Sequence, residues 1–279
     1  MISDTSKKNK HIVGDIFKIL AMLLIVFPFY WMFITAFKTY AEAIRQPPTF
    51  WPESFSLQGM NSIFGSRNIN VGNYCINSVL ITVIGIIIQL IIMVPAAYAF
   101  AKYNFFGRNI LFSLVLIALM IPGQVTYITI YLTMADWKLL DTLWPQILPF
   151  AANAFGIFLL RQAFMQMPNE IIESAKIDGA KIPTIILRIL LPMNRSVLFT
   201  VILFSFVGTW NNYFWPLVMT HSDEVRPLTM LLVRVMDSEV GTKWNEIMAA
   251  NLLVILPVLL VYIFASQQIV KAFTYNGIK

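Results

Sequence analysis

The sequence predicts an all-α membrane protein with six transmembrane helices, and three observations support this prediction. The chain has 279 residues, of which 58% are hydrophobic and only 12% are charged, whereas about a quarter of a typical soluble domain is charged. The mean hydropathy is +0.72. Apolar runs of about 20 residues, the length of a helix that crosses a bilayer, recur along the chain. Lipid is therefore the expected solvent, and the runs are expected to form one transmembrane domain over residues 1–279.

Six runs are candidate spans, and proline occurs within several of them. They are Ile16–Phe37, Asn77–Phe100, Ile110–Met134, Leu143–Leu160, Ser196–Met219 and Ile247–Ala265. Basic residues before the first run are also typical of a signal peptide. This run is longer than a usual signal-peptide core, so we expect a retained helix.

The distribution of basic residues predicts that both termini lie in the cytoplasm. An even number of spans puts the termini on one side, and 13 of the 20 Lys and Arg residues then fall in the inner segments. Inner segments of membrane proteins carry such an excess. The outer loops 38–76 and 220–246 are either solvated connectors or partner contacts.

Several classes of chemistry are missing from the sequence. It contains no G-x-x-x-x-G-K-[ST], H-E-x-x-H or G-x-S-x-G pattern, so no ATP loop or familiar hydrolase centre is expected. Cys75 is the one cysteine, and His11 and His221 fall on opposite sides of the predicted membrane. The net charge of +6 is scattered, which favours membrane topology over nucleic-acid binding. The driving energy is therefore expected from a partner.

The predicted cytoplasmic segment Pro168–Pro192 has a helix–turn–helix pattern. A short helix is expected over Glu170–Ile177, and Asp178-Gly179 is a turn signal. Five apolar residues after the turn have the i, i+3, i+4, i+7, i+8 spacing of one helix face; they are Ile182, Ile185, Ile186, Ile189 and Leu190. Basic residues on another face suggest an amphipathic helix at the membrane surface, facing headgroups or a partner.

This segment resembles the EAA loop of ABC importer permeases. The matching residues are Glu173, Ser174, Ala175, Asp178, Gly179, Ala180, Ile189, Leu191 and Pro192. In that family a short coupling helix docks in a groove of the ATPase subunit, and the resemblance implies that role for residues 173–175 and 178–180. Ser174 stands where the family usually has alanine, and Pro183 stands where a helix former is usual.

The resemblance extends over residues 15–279 and is strongest to permeases of the carbohydrate-uptake type, similar to the maltose G-subunit. Further matches include Phe37-Lys38-Thr39, Ala96-Ala97-Tyr98-Ala99 and Trp215-Pro216-Leu217. The resemblance implies a sugar or oligosaccharide solute, a homologous second permease, two ATP-binding subunits and an extracytoplasmic solute-binding protein. ATP and Mg²⁺ would be bound by the ATPase, with no cofactor on this chain.

Four residues are candidates for the solute pathway. Gln124 and Trp210 each lie 14 residues into a span, or roughly 21 Å at about 1.5 Å per residue, and Asn153 lies near the middle of its span. Asn211 follows Trp210. Three of them also have a structural interpretation: Gln124 as a partner for backbone groups beside Pro122, Asn153 as a contact that holds helices together, and Trp210 as part of an aromatic belt.

Two alternatives remain open at this point. The same class of permease could carry a non-sugar solute such as a glycerol phosphate or a sugar acid. The second alternative is a membrane enzyme or sensor that works without an ATPase. The missing catalytic motifs disfavour this alternative.

Overall fold

The computed structural model describes residues 2–66, 69–236 and 242–274, and the regular secondary structure within these ranges is helical. Fourteen α-helical segments follow one another: α1 (Ile2–Ala36), α2 (Tyr40–Ala43), α3 (Gln58–Gly65), α4 (Val71–Lys102), α5 (Arg108–Ala118), α6 (Gly123–Asp136), α7 (Ala154–Met165), α8 (Asn169–Ile177), α9 (Ile182–Ile185), α10 (Leu191–Met193), α11 (Arg195–Trp210), α12 (Phe214–Met219), α13 (Thr229–Met236) and α14 (Trp244–Thr274). Two 3₁₀ turns, Trp144–Gln146 and Leu148–Phe150, precede α7, and a π-helical turn, Ile186–Leu190, follows α9.

Three continuous helices are long and apolar enough to cross a membrane. They are Gly14–Ala36 in α1, Val71–Lys102, which is α4, and Trp244–Ala265 in α14. They correspond to the first, second and sixth predicted spans. Proline lies inside each of these helices, which neighbouring groups in a membrane protein can accommodate.

The other apolar segments are bent pairs, so the expectation of continuous helices there is corrected. The bend between α5 and α6 is 98°, and the bend between the 3₁₀ turns and α7 is 41°. The bend between the segment Ile182–Met193 and α11 is 90°. Pro122 precedes α6, and Pro145 and Pro149 lie in the 3₁₀ turns, where proline removes a backbone donor and restricts the residue before it. Six spans result when each bent pair counts as one span, and the count of six stays a prediction.

The fifth predicted span, Ser196–Met219, also consists of two helices. Helix α11 ends at Trp210, and α12 begins at Phe214. Asn212 accepts a hydrogen bond from the Trp215 backbone N–H at 3.3 Å, so its side chain satisfies a donor at the start of α12. Trp210 therefore lies at a helix end.

One compact unit comprises the described residues of Met1–Val71 and Leu231–Leu256. Within it α3 lies against the start of α14, and the Ser62 hydroxyl donates to Glu246 at 2.7 Å. After α1, the Lys38 ammonium donates to the Thr49 carbonyl at 2.5 Å. Burial lowers the pKa of Lys38, although the Glu42 carboxylate opposes this shift.

The second compact unit comprises Gly72–Met230 and the part of α14 that begins at Pro257. Its core joins α4, α7, α8, the segment after α9 and α11. Buried apolar side chains from these elements pack together; they include Met93, Tyr98, Leu160, Phe164, Ile172, Ile185, Leu190 and Val201. This core holds the segment that the sequence links to an ATPase against the apolar helices.

Asp141 connects two loops of the second unit. Its carboxylate accepts hydrogen bonds from the backbone N–H groups of His221 and Ser222, each at 2.8 Å. Burial acts to raise the pKa of Asp141, but these hydrogen bonds outweigh it and the pKa lies below its ordinary value. The ionised carboxylate thus fastens the beginning of the loop that follows α12.

Candidate coupling segment and solute cavity

The segment Asn169–Met193, called here the coupling segment, begins with α8 and a tight turn. Its helix is followed by Gly179, whose φ is +79°. The Gly179 N–H donates to the Lys176 carbonyl and the Ala180 N–H to the Ala175 carbonyl, at 3.0 and 2.9 Å. This hydrogen-bond pair is the Schellman motif, in which glycine supplies the left-handed residue. The predicted helix and the Asp178-Gly179 turn are confirmed.

The apolar stripe of the coupling segment packs against the core of the second unit. Ile185, Ile186 and Leu190 are buried there, together with Ile172 and Ala175 of α8. Protein side chains therefore cover most of the apolar stripe, and the predicted position of the segment at the membrane surface stays a prediction. The π-helical turn Ile186–Leu190 also differs from the single regular helix that the spacing predicts.

A contact between a charged side chain and the backbone fixes the start of the coupling segment. The Lys102 ammonium, at the end of α4, donates to the Met167 carbonyl at 2.6 Å and to the Asn169 side-chain oxygen at 2.8 Å. Hydrogen bonds from a charged donor are stronger than neutral ones. Nearby, the Arg161 guanidinium lies 3.9 Å from the centre of the Phe112 ring and donates to the Phe100 carbonyl at 3.3 Å. A shift of the coupling segment would therefore pull directly on α4.

The predicted coupling residues divide between the surface and the core. Glu173, Ser174, Asp178 and Gly179 are exposed, Ala180 is half-buried, and Ala175 is buried against the core. Ile177, which sequence reasoning did not select, is 87% exposed at the end of α8. An exposed isoleucine beside the exposed polar side chains of Glu173, Ser174 and Asp178 gives this turn the apolar centre and polar surroundings of a protein-binding surface.

A cavity of about 480 Å³ lies beside the second 3₁₀ turn, α4, α7 and α11. Its lining contains three phenylalanine rings, four polar side chains from α4 and α11 and their flanks, and Asn153. The Phe155 and Phe204 rings meet edge to face, with centroids 5.6 Å apart. The described side chains that line this cavity include none that is charged.

Asn153 links three segments at the wall of this cavity. Its side-chain oxygen accepts the Gly156 N–H at 2.9 Å and so caps α7. Its amide nitrogen donates to Gln89 of α4 and to Ser205 of α11, each at 3.3 Å. Gln89 and Ser205 are 3% and 4% exposed, so the three polar groups satisfy one another in an apolar setting.

The structure places the other predicted pathway residues away from this cavity. Gln124 is exposed in the first turn of α6, just after the 98° bend, so its depth cannot be obtained from a straight helix. Trp210 is buried and stacks on Phe206 with ring centroids 5.6 Å apart, and it lines a smaller cavity of about 10 Å³ that shares Thr209 and Asn212 with the larger one. Asn211 is exposed at the end of α11.

Sequence reasoning missed Gln89, Ser205, Thr209 and Asn212, which line the cavity with Asn153. A signal was present for the first two, because a lone Gln or Ser within an apolar span indicates a contact between helices or a functional site. The described residues contain no group of three or more His, Cys, Asp or Glu side chains that could hold a metal ion.

Comparison with known proteins gives a family match over most of the chain. The profile of the family described as binding-protein-dependent transport system inner membrane component matches residues 93–275. Protein LplC of Bacillus subtilis (strain 168) is 31% identical over 271 residues, covering 91% of this chain and 89% of LplC. The sn-glycerol-3-phosphate transport system permease protein UgpE of Yersinia pestis is 30% identical over 272 residues, covering 95% and 96% of the two chains.

Solved structures share the fold. A chain of a bacterial ABC transporter involved in the import of the acidic polysaccharide alginate superposes with a TM-score of 0.84 at 24% identity, over 94% of this chain and 97% of that chain. A bacterial alginate ABC transporter in complex with an alginate pentasaccharide-bound periplasmic protein gives a TM-score of 0.66 at 15% identity, with 93% of each chain covered.

Proposed function

Because the chain belongs to the family of binding-protein-dependent transport system inner membrane components, we propose that it is the permease subunit of an ABC importer for a sugar or oligosaccharide. It is a multi-pass membrane protein of a transport family and not an enzyme. The observation that most supports the proposal is the coupling segment, an exposed turn fastened to the apolar helices by Lys102 and a buried stripe. The whole chain acts as one transmembrane permease domain, with both termini in the cytoplasm.

In this proposal the coupling segment receives the driving force from an ATPase. Glu173, Ser174, Asp178 and Gly179 face the ATPase, and Ala175 and Ala180 allow the turn to pack closely. Movement of the ATPase shifts the segment, and the contacts of Lys102 and Ile172 transmit the shift to the core of the second unit. ATP and Mg²⁺ bind to the ATPase, and this chain holds neither.

The partners follow from the same proposal. The family name itself specifies dependence on a binding protein, which would deliver the solute from outside. A homologous second permease and two ATP-binding subunits complete the transporter. Asn153 lies on the solute pathway, which opens alternately to the two sides, and Gln124, Trp210 and Asn211 remain candidates for it.

The test replaces Gly179 with tryptophan in the complete transporter, reconstituted in proteoliposomes. A bulky side chain at the docking surface should reduce ATP-driven uptake about tenfold or more, because a central interface residue contributes about 2 kcal/mol or more. The ATPase should also bind more weakly to the purified permease. Uptake and ATPase copurification are the two measurements.

Gly107→Trp is the matched control. Gly107 and Gly179 share a φ of +79°, and a Cβ at either position meets no atom within 4 Å, so backbone strain is the same in both variants. Gly107→Trp should keep uptake near the wild-type rate. Normal uptake by Gly179→Trp, or an equal loss in both variants, would exclude a docking role for the turn.

An importer of the same class for an anionic solute is the second candidate. The names of two similar proteins favour it, since UgpE belongs to a glycerol-phosphate system and the structural neighbour to an alginate importer. Uptake measurements with a solute panel on the complete transporter separate the two candidates.

A further inference from the structure

The cavity of about 480 Å³ in the second unit has a volume within the range of small-molecule sites, about 300–1,000 Å³. Its walls combine phenylalanine rings with a few polar side chains, which is the usual composition of a ligand site. Asn153 is already engaged, because its amide contacts Gln89, Ser205 and the N-terminus of α7. Asn153 therefore positions the wall and is not free to bind a solute with its amide nitrogen.

Three other side chains at the cavity have donor groups that form no hydrogen bond with the described residues. The Gln89 oxygen accepts from Asn153, but no described residue accepts a hydrogen bond from the Gln89 amide nitrogen. The Asn212 oxygen likewise accepts from Trp215, while its amide nitrogen has no partner among the described residues. The Thr209 hydroxyl also forms no hydrogen bond within the described part of the chain. Gln89 as a whole is only 3% exposed, and all three side chains line the cavity.

Polar side chains that line a cavity can form hydrogen bonds with a ligand there. Hydroxyl and ring oxygens of a saccharide are suitable acceptors. The phenylalanine rings, including the edge-to-face pair Phe155 and Phe204, offer apolar surface to the C–H faces of a sugar ring. The lining thus matches the two kinds of surface that a saccharide presents.

Charge distinguishes this cavity from a site for an acidic solute. The described lining has neutral amides and hydroxyls and no Lys, Arg or His. Moving a carboxylate or phosphate from water into an apolar site without a cation is strongly unfavourable. Sites for such anions therefore usually contain Arg or Lys.

From these observations we infer that the cavity binds an uncharged saccharide, with Gln89, Thr209 and Asn212 as hydrogen-bond donors and Asn153 as the residue that positions Gln89. The inference rests on the proposed function and specifies its solute class. It separates this chain from the glycerol-phosphate and alginate systems to which it is similar. The three donors are residues that the sequence did not select.

The first experiment measures binding and uptake by the complete transporter in proteoliposomes. The probes are neutral saccharides and their uronate counterparts: glucose and glucuronate, galactose and galacturonate, cellobiose and cellobiouronate, with sn-glycerol 3-phosphate as a further anion. Binding is also measured by equilibrium dialysis on the permease–ATPase complex without the binding protein, so that the selectivity of the binding protein does not enter. At least one neutral saccharide should bind more tightly than its uronate counterpart.

Two variants connect this selectivity to the cavity. Gln89→Leu and Thr209→Val each remove a donor at nearly constant volume, and each should weaken saccharide binding and raise the KM for uptake about five- to tenfold, the equivalent of one neutral hydrogen bond. Thr209→Val breaks no hydrogen bond within the described residues, so it remains informative if Gln89→Leu disturbs folding. Gln162→Leu and Thr129→Val are the matched controls, at exposed positions outside the cavity, and should leave the KM unchanged.

The outcomes separate the two proposals. Two results, each obtained with ATP-driven uptake, would overturn the inference and leave the importer proposal standing. In the first, the anions bind as tightly as the neutral saccharides. In the second, both donor variants keep the wild-type KM. A wild-type complex that lacks ATP-driven uptake of every solute overturns the importer proposal itself. Neutral selectivity that is weakened by the donor variants supports both.

Discussion

At the scale of single residues, Gly59 shows how a missing side chain brings two helices together. Gly59 is buried in α3, and a Cβ at this position would lie 2.6 Å from the Asn245 carbonyl oxygen at the start of α14. Backbone cannot move away as a flexible side chain can. The Ser62–Glu246 hydrogen bond, one turn along α3, depends on the same close approach.

Gly59→Ala should therefore destabilise the first unit. Overpacking of this kind costs about 1–3 kcal/mol, and we expect a lower Tm for the detergent-purified protein. Gly65→Ala in the same helix is the control, because a Cβ there meets nothing within 4 Å and alanine favours a helix over glycine. Equal Tm values for the two variants would contradict the close approach of α3 and α14.

At the scale of elements, the coupling segment is held at its start and along its length. Lys102 holds the start, and Ile185, Ile186 and Leu190 hold the part after the turn. The wider i→i+5 spacing of the π-helical turn offsets the regular stripe, which explains why Ile182 stays exposed while Leu190 is buried. Such π turns occur frequently at functional sites.

Lys102→Met should loosen the start of the coupling segment without unfolding the chain. The variant keeps the apolar stem but removes two hydrogen bonds from a charged donor, each contributing about 1.5–3 kcal/mol. Amide hydrogen exchange in Asn169–Ile177 should become faster, and solute-stimulated ATP hydrolysis should fall. Lys176→Met is the control, at an exposed position of the same helix. Unchanged exchange in Lys102→Met would show that the apolar stripe alone fixes the segment.

At the scale of the whole molecule, the orientation in the membrane decides whether the coupling segment can meet an ATPase. The distribution of basic residues predicts a cytoplasmic position for it. Three continuous helices and three bent pairs allow up to six spans by length and composition. Cys75 is the single cysteine of the sequence, so its replacement provides a background for labelling.

Single cysteines in a Cys75→Ser background test this orientation. Ser174→Cys lies at the exposed face of the coupling segment, and Ser54→Cys lies at an exposed position of the loop after α1. A membrane-impermeant maleimide should label Ser54→Cys in intact cells and Ser174→Cys only after lysis, because the membrane separates the two positions. Labelling of Ser174→Cys in intact cells would reverse the predicted orientation.

Local sequence patterns were sufficient to predict the class of protein and the turn in the coupling segment. Apolar runs identify membrane helices because their length must match the bilayer. The Asp178-Gly179 turn follows from the few residues that make it, since a Schellman motif closes within six residues. Six spans, their orientation and the coupling role of Glu173 to Ala180 remain predictions from the same patterns.

The sequence by itself thus determined a membrane transport protein and the turn at Asp178-Gly179, whereas the tertiary structure decided where its polar groups meet. Depth along a straight helix does not apply to Gln124, because Pro122 and the 98° bend intervene. The same estimate placed Asn153 within a helix, but the Asn153 side chain caps the N-terminus of α7. Gln89 and Ser205 lie 64 and 52 residues from Asn153 along the chain, and only the packing of α4, α7 and α11 brings them to one cavity. A contact between distant residues depends on helix bends and packing, which no local pattern specifies.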